Sequence, residues 1–339
     1  MKRKFLCFAA IAAIAGTAIA CRKNDDFHVG KTNSEKVDIC LQAMSDGIAI
    51  DTKAASAEDE ISSVEFFVFN SDGSLDVAKS ATGTSSTLSV TAGKGKLIYA
   101  VVNPQNSLVS SYSSASELEK AQDSILASAA TLEHIGMAGK LAPMDITATT
   151  AGPVNVSVDR NVSKIRLEKI TNNLNSSFGE MKIKKIFLSN VTASMYYFKS
   201  DCSSTWINQR GRSISDKSFL TKSGLNVTIS SGNSSSTEYS FYCYPNPTTT
   251  DSTSETWCPR HTRLVIEAEI NGQTYYYPIS LNEHIAGNKI EKNKIYTIKN
   301  LTINHLGSSD PDIPVTSGDL VFSVSVIPWT SVDLDTVVM

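Results

Sequence analysis

Charge is scarce in this chain. Only 19% of its 339 residues are Asp, Glu, Lys or Arg, and the net charge is -3. Beyond Lys2-Arg3-Lys4 there is no basic tract, so nucleic acid is not an expected partner. Cysteine is scarce too: Cys7, Cys21, Cys40, Cys202, Cys243 and Cys258, with no C-x-x-C among them. That pattern indicates neither a zinc site nor a thioredoxin-type centre. The histidines (28, 134, 261, 284 and 305) are scattered and never form H-E-x-x-H. No serine sits in G-x-S-x-G, and Gly93-Lys94-Gly95 lacks the ending of a phosphate loop, so it reads as a turn. Asp46, Asp51, Glu58, Asp59 and Glu60 crowd one segment without EF-hand spacing, and read as a solvated linker. Tyr275-Tyr276-Tyr277 could suggest a sugar platform, but at strand spacing a packed strand accounts for it. No catalytic residue, metal or cofactor is expected, and the chain does not read as an enzyme.

Long apolar runs are missing as well. The one candidate, Phe5 to Ala20, is too short for a transmembrane helix of about 20 residues. With its basic start and the small residues before Cys21 it describes a secretory signal peptide. Ala18-Ile19-Ala20-Cys21 resembles a bacterial lipobox, with Ala18 where Leu is usual. The polar run Arg22 to Asp26 resembles the signal that sends Bacteroidales lipoproteins to the cell surface. Lipidation of Cys21 would make the precursor an outer-membrane lipoprotein. Export permits disulfides. Cys243 and Cys258 flank a Pro/Thr/Ser-rich excursion, so they could close a loop, or could be so spaced by chance.

What is abundant is alternation. Lys36 to Gln42 puts Val37, Ile39 and Leu41 on one face of a half-buried strand. A small-residue stretch, Ser45 to Ser63, follows. Val64 to Phe69 reads as a strand ended by the turn Asn70-Ser71-Asp72-Gly73. Ser86 to Val90 is a weaker strand, and Lys96 to Val102, apolar on both faces, should be central. Ser116-x-x-Glu119 fits a capping box and predicts a helix to about Glu133. Val154 to Val158 resumes the alternation. New strands are expected at Val162 to Ile170, Met181 to Leu188, Ser240 to Tyr244 and His261 to Ile270. The turn Asn271-Gly272 leads into Thr274 to Leu281, a strong hairpin signal. Ile295 to Ile303 and Asp319 to Ile327 complete the set. Many short strands with turns between them predict an all-β protein of β-sandwiches.

The order of these blocks resembles the type V pilins of Bacteroidales, the major fimbrillin and short-fimbria fimbrillin family. Val64 to Asn70, Lys96 to Asn103 and Asp159 to Ile165 resemble three of its blocks. Tyr275 to Ile279, Ile290 to Tyr296 and Val324 to Trp329 resemble three more, while Thr171 to Thr237 matches least. The resemblance implies two tandem transthyretin-like sandwiches with a few short helices. The division would be 1–21 signal peptide, 22–158 N-terminal domain and 159–339 C-terminal domain with its tail, residues 22–53 being removed on maturation.

The resemblance also implies an export, cutting and polymerisation sequence. An Arg- or Lys-specific, gingipain-type protease would cut the precursor. The candidate bond is Lys53–Ala54, although major fimbrillins usually carry Arg there. Loss of the first strand (Val37, Ile39, Leu41) would open a groove. The C-terminal tail, through Val332, Leu334 and Val338, could fill the groove of another copy or related pilin. The alternative for the tail is an ordinary strand of its own domain. The expected partners are therefore other pilins, the protease and the outer membrane, at a cell-surface fimbrium serving adhesion or biofilm formation. Anchor subunit, tip subunit and surface glycan-binding β-sandwich lipoprotein are the rival readings.

Overall fold

The computed structural model describes residues 35–45, 58, 60–124, 134–150, 152–199, 205–251, 260–313 and 320–329. The expected all-β architecture is what forms. Among the described residues the α-helical part is one turn, α1 (Ala115–Leu118), beside a few 3₁₀ turns.

Nine strands build the N-terminal half: β1 (Lys36–Ser45), β2 (Ser63–Phe69), β3 (Leu75–Thr82), β4 (Ser85–Thr91), β5 (Gly93–Val102), β6 (Gln122–Ser124), β7 (Met137–Lys140), β8 (Met144–Ile146) and β9 (Pro153–Arg160). The main sheet runs β3-β2-β5-β7-β9-β1-β4, with β8 also on β5. Its two end strands, β3 and β4, are joined by only Gly83-Thr84, so the sheet must fold back on itself. Ile39, Leu41, Val64, Phe66, Val68, Leu88, Val90 and Ile98 pack inside it.

β2 and β5 are apolar on both faces because each faces two cores. Val64, Phe66 and Val68 point into the sandwich, while Phe67 and Phe69 pack outside it with Tyr99, Leu118 and Tyr197. Phe69 and Tyr99 meet edge to face at 5.6 Å, a favoured aromatic geometry.

The C-terminal half surrounds a larger core that includes Ile165, Ile186, Phe241, Leu264, Tyr277 and Tyr296. One sheet places Ser163–Leu167 between Tyr239–Cys243 and Lys294–Ile298, with Val324–Pro328 at its edge. Another centres on Glu180–Ser189 and Arg263–Ile270. The hairpin from Arg263–Ile270 to Gln273–Ser280 turns at Asn271 (φ 50°) and Gly272 (φ 75°). Two consecutive positive φ values are what the tight hairpin turn requires, and Asn-Gly supplies them with little strain. The core changes between Val158, in the first cluster, and Val162, in the second. β6 also pairs with Ser194–Tyr196, which ties the halves together.

Three local expectations need correcting. The helix stops at Leu118, with Ser114 as N-cap, its hydroxyl accepting from the Glu117 N–H at 3.3 Å. Glu117 reaches back to the Ser113 N–H at 3.0 Å, so the reciprocal capping contacts lie about two residues before the predicted box. Helical propensity beyond it loses to tertiary pairing: β6 is a strand, and buried Asp123 accepts from Asn161 at 3.1 Å. Second, Gly93-Lys94-Gly95 lies within β5, at an irregularity of the pairing with β8. Third, the spans 162–170, 295–303 and 319–327 each divide into two strands, at Glu168-Lys169, Lys299-Asn300 and Phe322-Ser323.

Candidate functional site

The site is a strand and the slot that holds it. In β1 the residues Val37, Ile39, Leu41 and Ala43 are buried while Lys36, Asp38 and Met44 are exposed, as the alternation predicts. The strand continues to Ser45, three residues past the expected segment. β1 runs antiparallel to β4, from Lys36 opposite Thr91 to Gln42 opposite Ser85. It runs parallel to β9, from Cys40 opposite Pro153 to Ser45 opposite Val158. Among the described strands, β4 and β9 meet no partner on these edges except β1. Without β1, two rows of backbone N–H and C=O groups would lie open above an apolar floor that includes Leu88, Val90, Val156 and Val158. An open edge of this kind is a template for another strand.

Charge fixes the start of β1. Lys36 lies 3.2 Å from the Asp76 carboxylate, which also holds buried Lys96 at 2.8 Å. Thr91 donates to Asp76 through its N–H and its hydroxyl, both at 2.8 Å, and Lys96 donates to Asn70 at 2.6 Å. Burial alone would raise the Asp76 pKa; Lys96, Thr91 and Lys36 override it and hold it at about 2. Most of this network, Asp76 with Lys96 and Thr91, belongs to the slot rather than to β1.

Asn103 fixes the point where the chain re-enters the sheet. Its side-chain oxygen accepts from the Ser62 and Ser63 N–H groups at 3.0 and 3.2 Å. Its amide donates to the carbonyls of Glu60 and Ile135 at 2.8 and 3.0 Å. With φ at 49°, Asn is among the few residues that fit this role. Nothing local in the sequence distinguishes Asn103 from an ordinary strand-ending residue.

Of the other expected site residues, Cys21, Lys53, Ala54, Val332, Leu334, Val338 and Cys258 lie outside the described residues. Cys243 is a free, buried thiol whose pKa burial pushes up to about 12. Glu58 does not stand in a solvated linker: it accepts from Lys164 at 2.7 Å and from the Tyr242 hydroxyl. Tyr277 is fully buried and Tyr275 packs partly on the core, so the three tyrosines form no open platform.

One group of metal-type ligands went unread in the sequence. Asp251, His261 and Glu283 each bring a ligand atom within 4.8 Å of the others. Arg263 already binds Asp251, and Arg260 lies 3.8 Å from it. Asp312 joins both arginines, at 2.7 and 3.0 Å. Two guanidinium groups beside the carboxylates make this a buried ion-pair network and oppose a further cation.

The fold has counterparts. No protein-family model and no curated protein matches the chain. Solved structures do. A candidate cell adhesion protein of Bacteroides eggerthii DSM 20697 superposes with a TM-score of 0.63 at 19% identity, over 87% of this chain and 97% of that one. A fimbrilin of Porphyromonas gingivalis W83 gives a TM-score of 0.63 at 17% identity, over 88% and 99%. The tip fimbrial protein Mfa3 of Porphyromonas gingivalis gives 0.51 at 13%, over 87% and 100%. The chain therefore has the fimbrillin fold over 87–88% of its length.

Proposed function

We propose that the chain is a structural subunit of a type V fimbria, exported as a lipoprotein through Cys21, cut after Lys53 and polymerised by strand exchange. The observation that carries this reading is β1 in its slot: a strand paired on both sides and joined to β2 by a small-residue segment. A cut in that segment lets β1 leave with the order β3-β2-β5-β7-β9 intact, while β4, whose one partner among the described strands is β1, stays joined to β3 through Gly83-Thr84 and borders the open slot. The tail Val332 to Met339 has the alternation to replace it. Val332, Leu334 and Val338, at about 1.5 to 3 kcal/mol each, would contribute roughly 5 to 9 kcal/mol before ordering costs. Main-chain pairing with β4 and β9 would add to that. The fimbrillin fold and the fimbrilin and tip protein that share it support a place in a cell-surface fimbria. Its partners are then other pilins, a Lys- or Arg-specific protease and, for the precursor, the outer membrane.

Deleting Val332 to Met339 tests this. The deleted chain should fold, be exported and be cut, yet not extend a fibre. Leu334→Asp should act similarly, because an unpaired carboxylate in an apolar groove is strongly disfavoured. Polymerisation of the deleted chain would show that another edge carries assembly.

A further inference from the structure

The two chain segments that maturation and assembly would set in motion meet at one buried cluster. Glu58 is five residues beyond the expected cut, and Trp329 is the last residue described before the tail. Their side chains share the same partners. Lys164 donates to Glu58 at 2.7 Å and lies 5.9 Å from the centre of the Trp329 ring. Tyr242 donates its hydroxyl to Glu58 and stacks on Trp329, ring centres 5.9 Å apart and 23° between planes. The Arg160 guanidinium carbon also lies near this ring, 5.0 Å from the Trp329 ring centre. Arg160 donates to the Trp329 carbonyl at 2.7 Å and to the Glu58 carbonyl at 3.5 Å. Trp329 itself is 4% exposed.

The strand that Trp329 terminates is otherwise weakly held. Among the described strands Val324–Pro328 is an edge strand, paired only with Lys294–Ile298. Val326 and Ile327 on it are 42% and 39% exposed. An edge strand with exposed apolar side chains and one paired side opens readily unless its end is fixed. The Trp329 cluster supplies that fixing, with the Trp329 N–H also donating to the Asn293 carbonyl at 3.0 Å.

We infer that Glu58 and Trp329 form a cleavage-sensitive latch: Glu58 orders Lys164 and Tyr242 against Trp329 in the precursor, and cutting loosens the edge strand that leads into the tail. The inference rests on the cut proposed above. Its physical reason is tethering. In the precursor, Glu58 is held from both directions, by β1 upstream and by the Asn103 contacts to Glu60, Ser62 and Ser63 downstream. Once β1 and the segment up to Lys53 leave, Glu58 lies near a free end with one tether. Docking it then requires ordering that end anew, so its occupancy falls. Lys164 and Tyr242 lose their carboxylate partner and are less ordered against Trp329, which is left with its Arg160 and Asn293 contacts. Release of the donor segment would thereby follow cleavage.

Amide hydrogen exchange tests the latch on the full-length, uncut precursor, where no polymer forms. Glu58→Gln removes the charge, and Tyr242→Phe removes one hydroxyl with little risk to folding. Each should speed exchange at the ladder-bonded amides of Val324–Ile327 and at Trp329 by about tenfold or more, the effect of losing one charge-assisted hydrogen bond. Exchange in the central strand Arg263–Ile270 should stay unchanged. Cutting the wild-type chain at high dilution should speed the same amides, and cutting Glu58→Gln should add little more. Unchanged exchange at Val324–Trp329 in either variant, or equal acceleration of Arg263–Ile270, would overturn the latch. Fibre formation is read separately. A failed latch leaves the tail-deletion result standing, and a tail-deleted chain that still polymerises would refute strand exchange whatever the exchange rates show.

Discussion

Leu41→Ala should weaken the precursor and make it a better acceptor. Leu41 is fully buried in β1, opposite Ser86 on β4 and Val154 on β9. Truncating a buried Leu to Ala costs about 2 to 5 kcal/mol through lost burial and the cavity left behind. For a domain stable by roughly 5 to 15 kcal/mol, that is a large fraction. Urea unfolding of the uncut chain should show a lower midpoint with an unchanged slope. If β1 can leave its slot as a unit, much of the same free energy favours the vacated slot. At about 1.4 kcal/mol per factor of ten, the open fraction rises roughly 30- to 4,000-fold. Uncut Leu41→Ala mixed with cut wild-type chains should therefore accept their tails faster than uncut wild type, as followed by light scattering. Fibres grown from cut Leu41→Ala should match wild-type fibres, because the altered residue is no longer present. Asp38→Asn, on the exposed face of the same strand, should change the unfolding free energy by less than about 0.5 kcal/mol. An unshifted midpoint, or acceptor rates equal to wild type, would refute β1 as the displaceable strand.

Three further outcomes follow. Asp76 has its pKa held at about 2, below the ordinary 3.8, so its stabilising contribution is complete above pH 4 and is lost as pH falls through 2. Acid unfolding of the precursor should show an increment of about 2 kcal/mol across that window, absent in Asp76→Asn. N-terminal sequencing of assembled subunits should begin at Ala54; a start at Cys21 would mark an anchor subunit instead. Cys21→Ala should abolish labelling by a fatty-acid analogue and surface display, and undiminished labelling would remove the lipoprotein reading.

Strands whose two faces differ were legible in the sequence, as were those apolar on both. β1, β2, β4 and β5 carry the period of two or the double-sided apolar run that their surroundings demand. β3 was not legible, because its residues are only half-buried and include Asp76, Lys79 and Ser80. Neither was β7, whose Gly139 looks like a breaker. A Cβ there would stand 1.9 Å from the Ser157 carbonyl oxygen, so its missing side chain is what lets β7 and β9 approach. β1, the strand of the candidate site, was readable because its alternation is local. The contacts that hold it were not. Lys96 finds Asp76 and Asn70 across the fold, and Glu58 finds Lys164 and Tyr242 more than a hundred residues away. A carboxylate in a polar segment carries no local mark of such a partner.

The central claim is that the tail of one copy replaces β1 of another between β4 and β9. Thr87 is exposed on β4, opposite Cys40 of the departing strand. On the tail, Asp333 and Asp335 lie on the face opposite Val332 and Leu334 by alternation. Thr87→Cys can be combined with Asp333→Cys or with Asp335→Cys, in a chain whose Cys40, Cys202 and Cys258 are serine, so that no native thiol faces position 87 in the uncut control. Mild oxidation of the cut protein should then give a ladder of disulfide-linked multimers on a non-reducing gel, with one of the two tail positions giving the stronger ladder. Uncut protein should give none. Fibres that form without a ladder from either pair, or an equal ladder from uncut protein, would contradict the account.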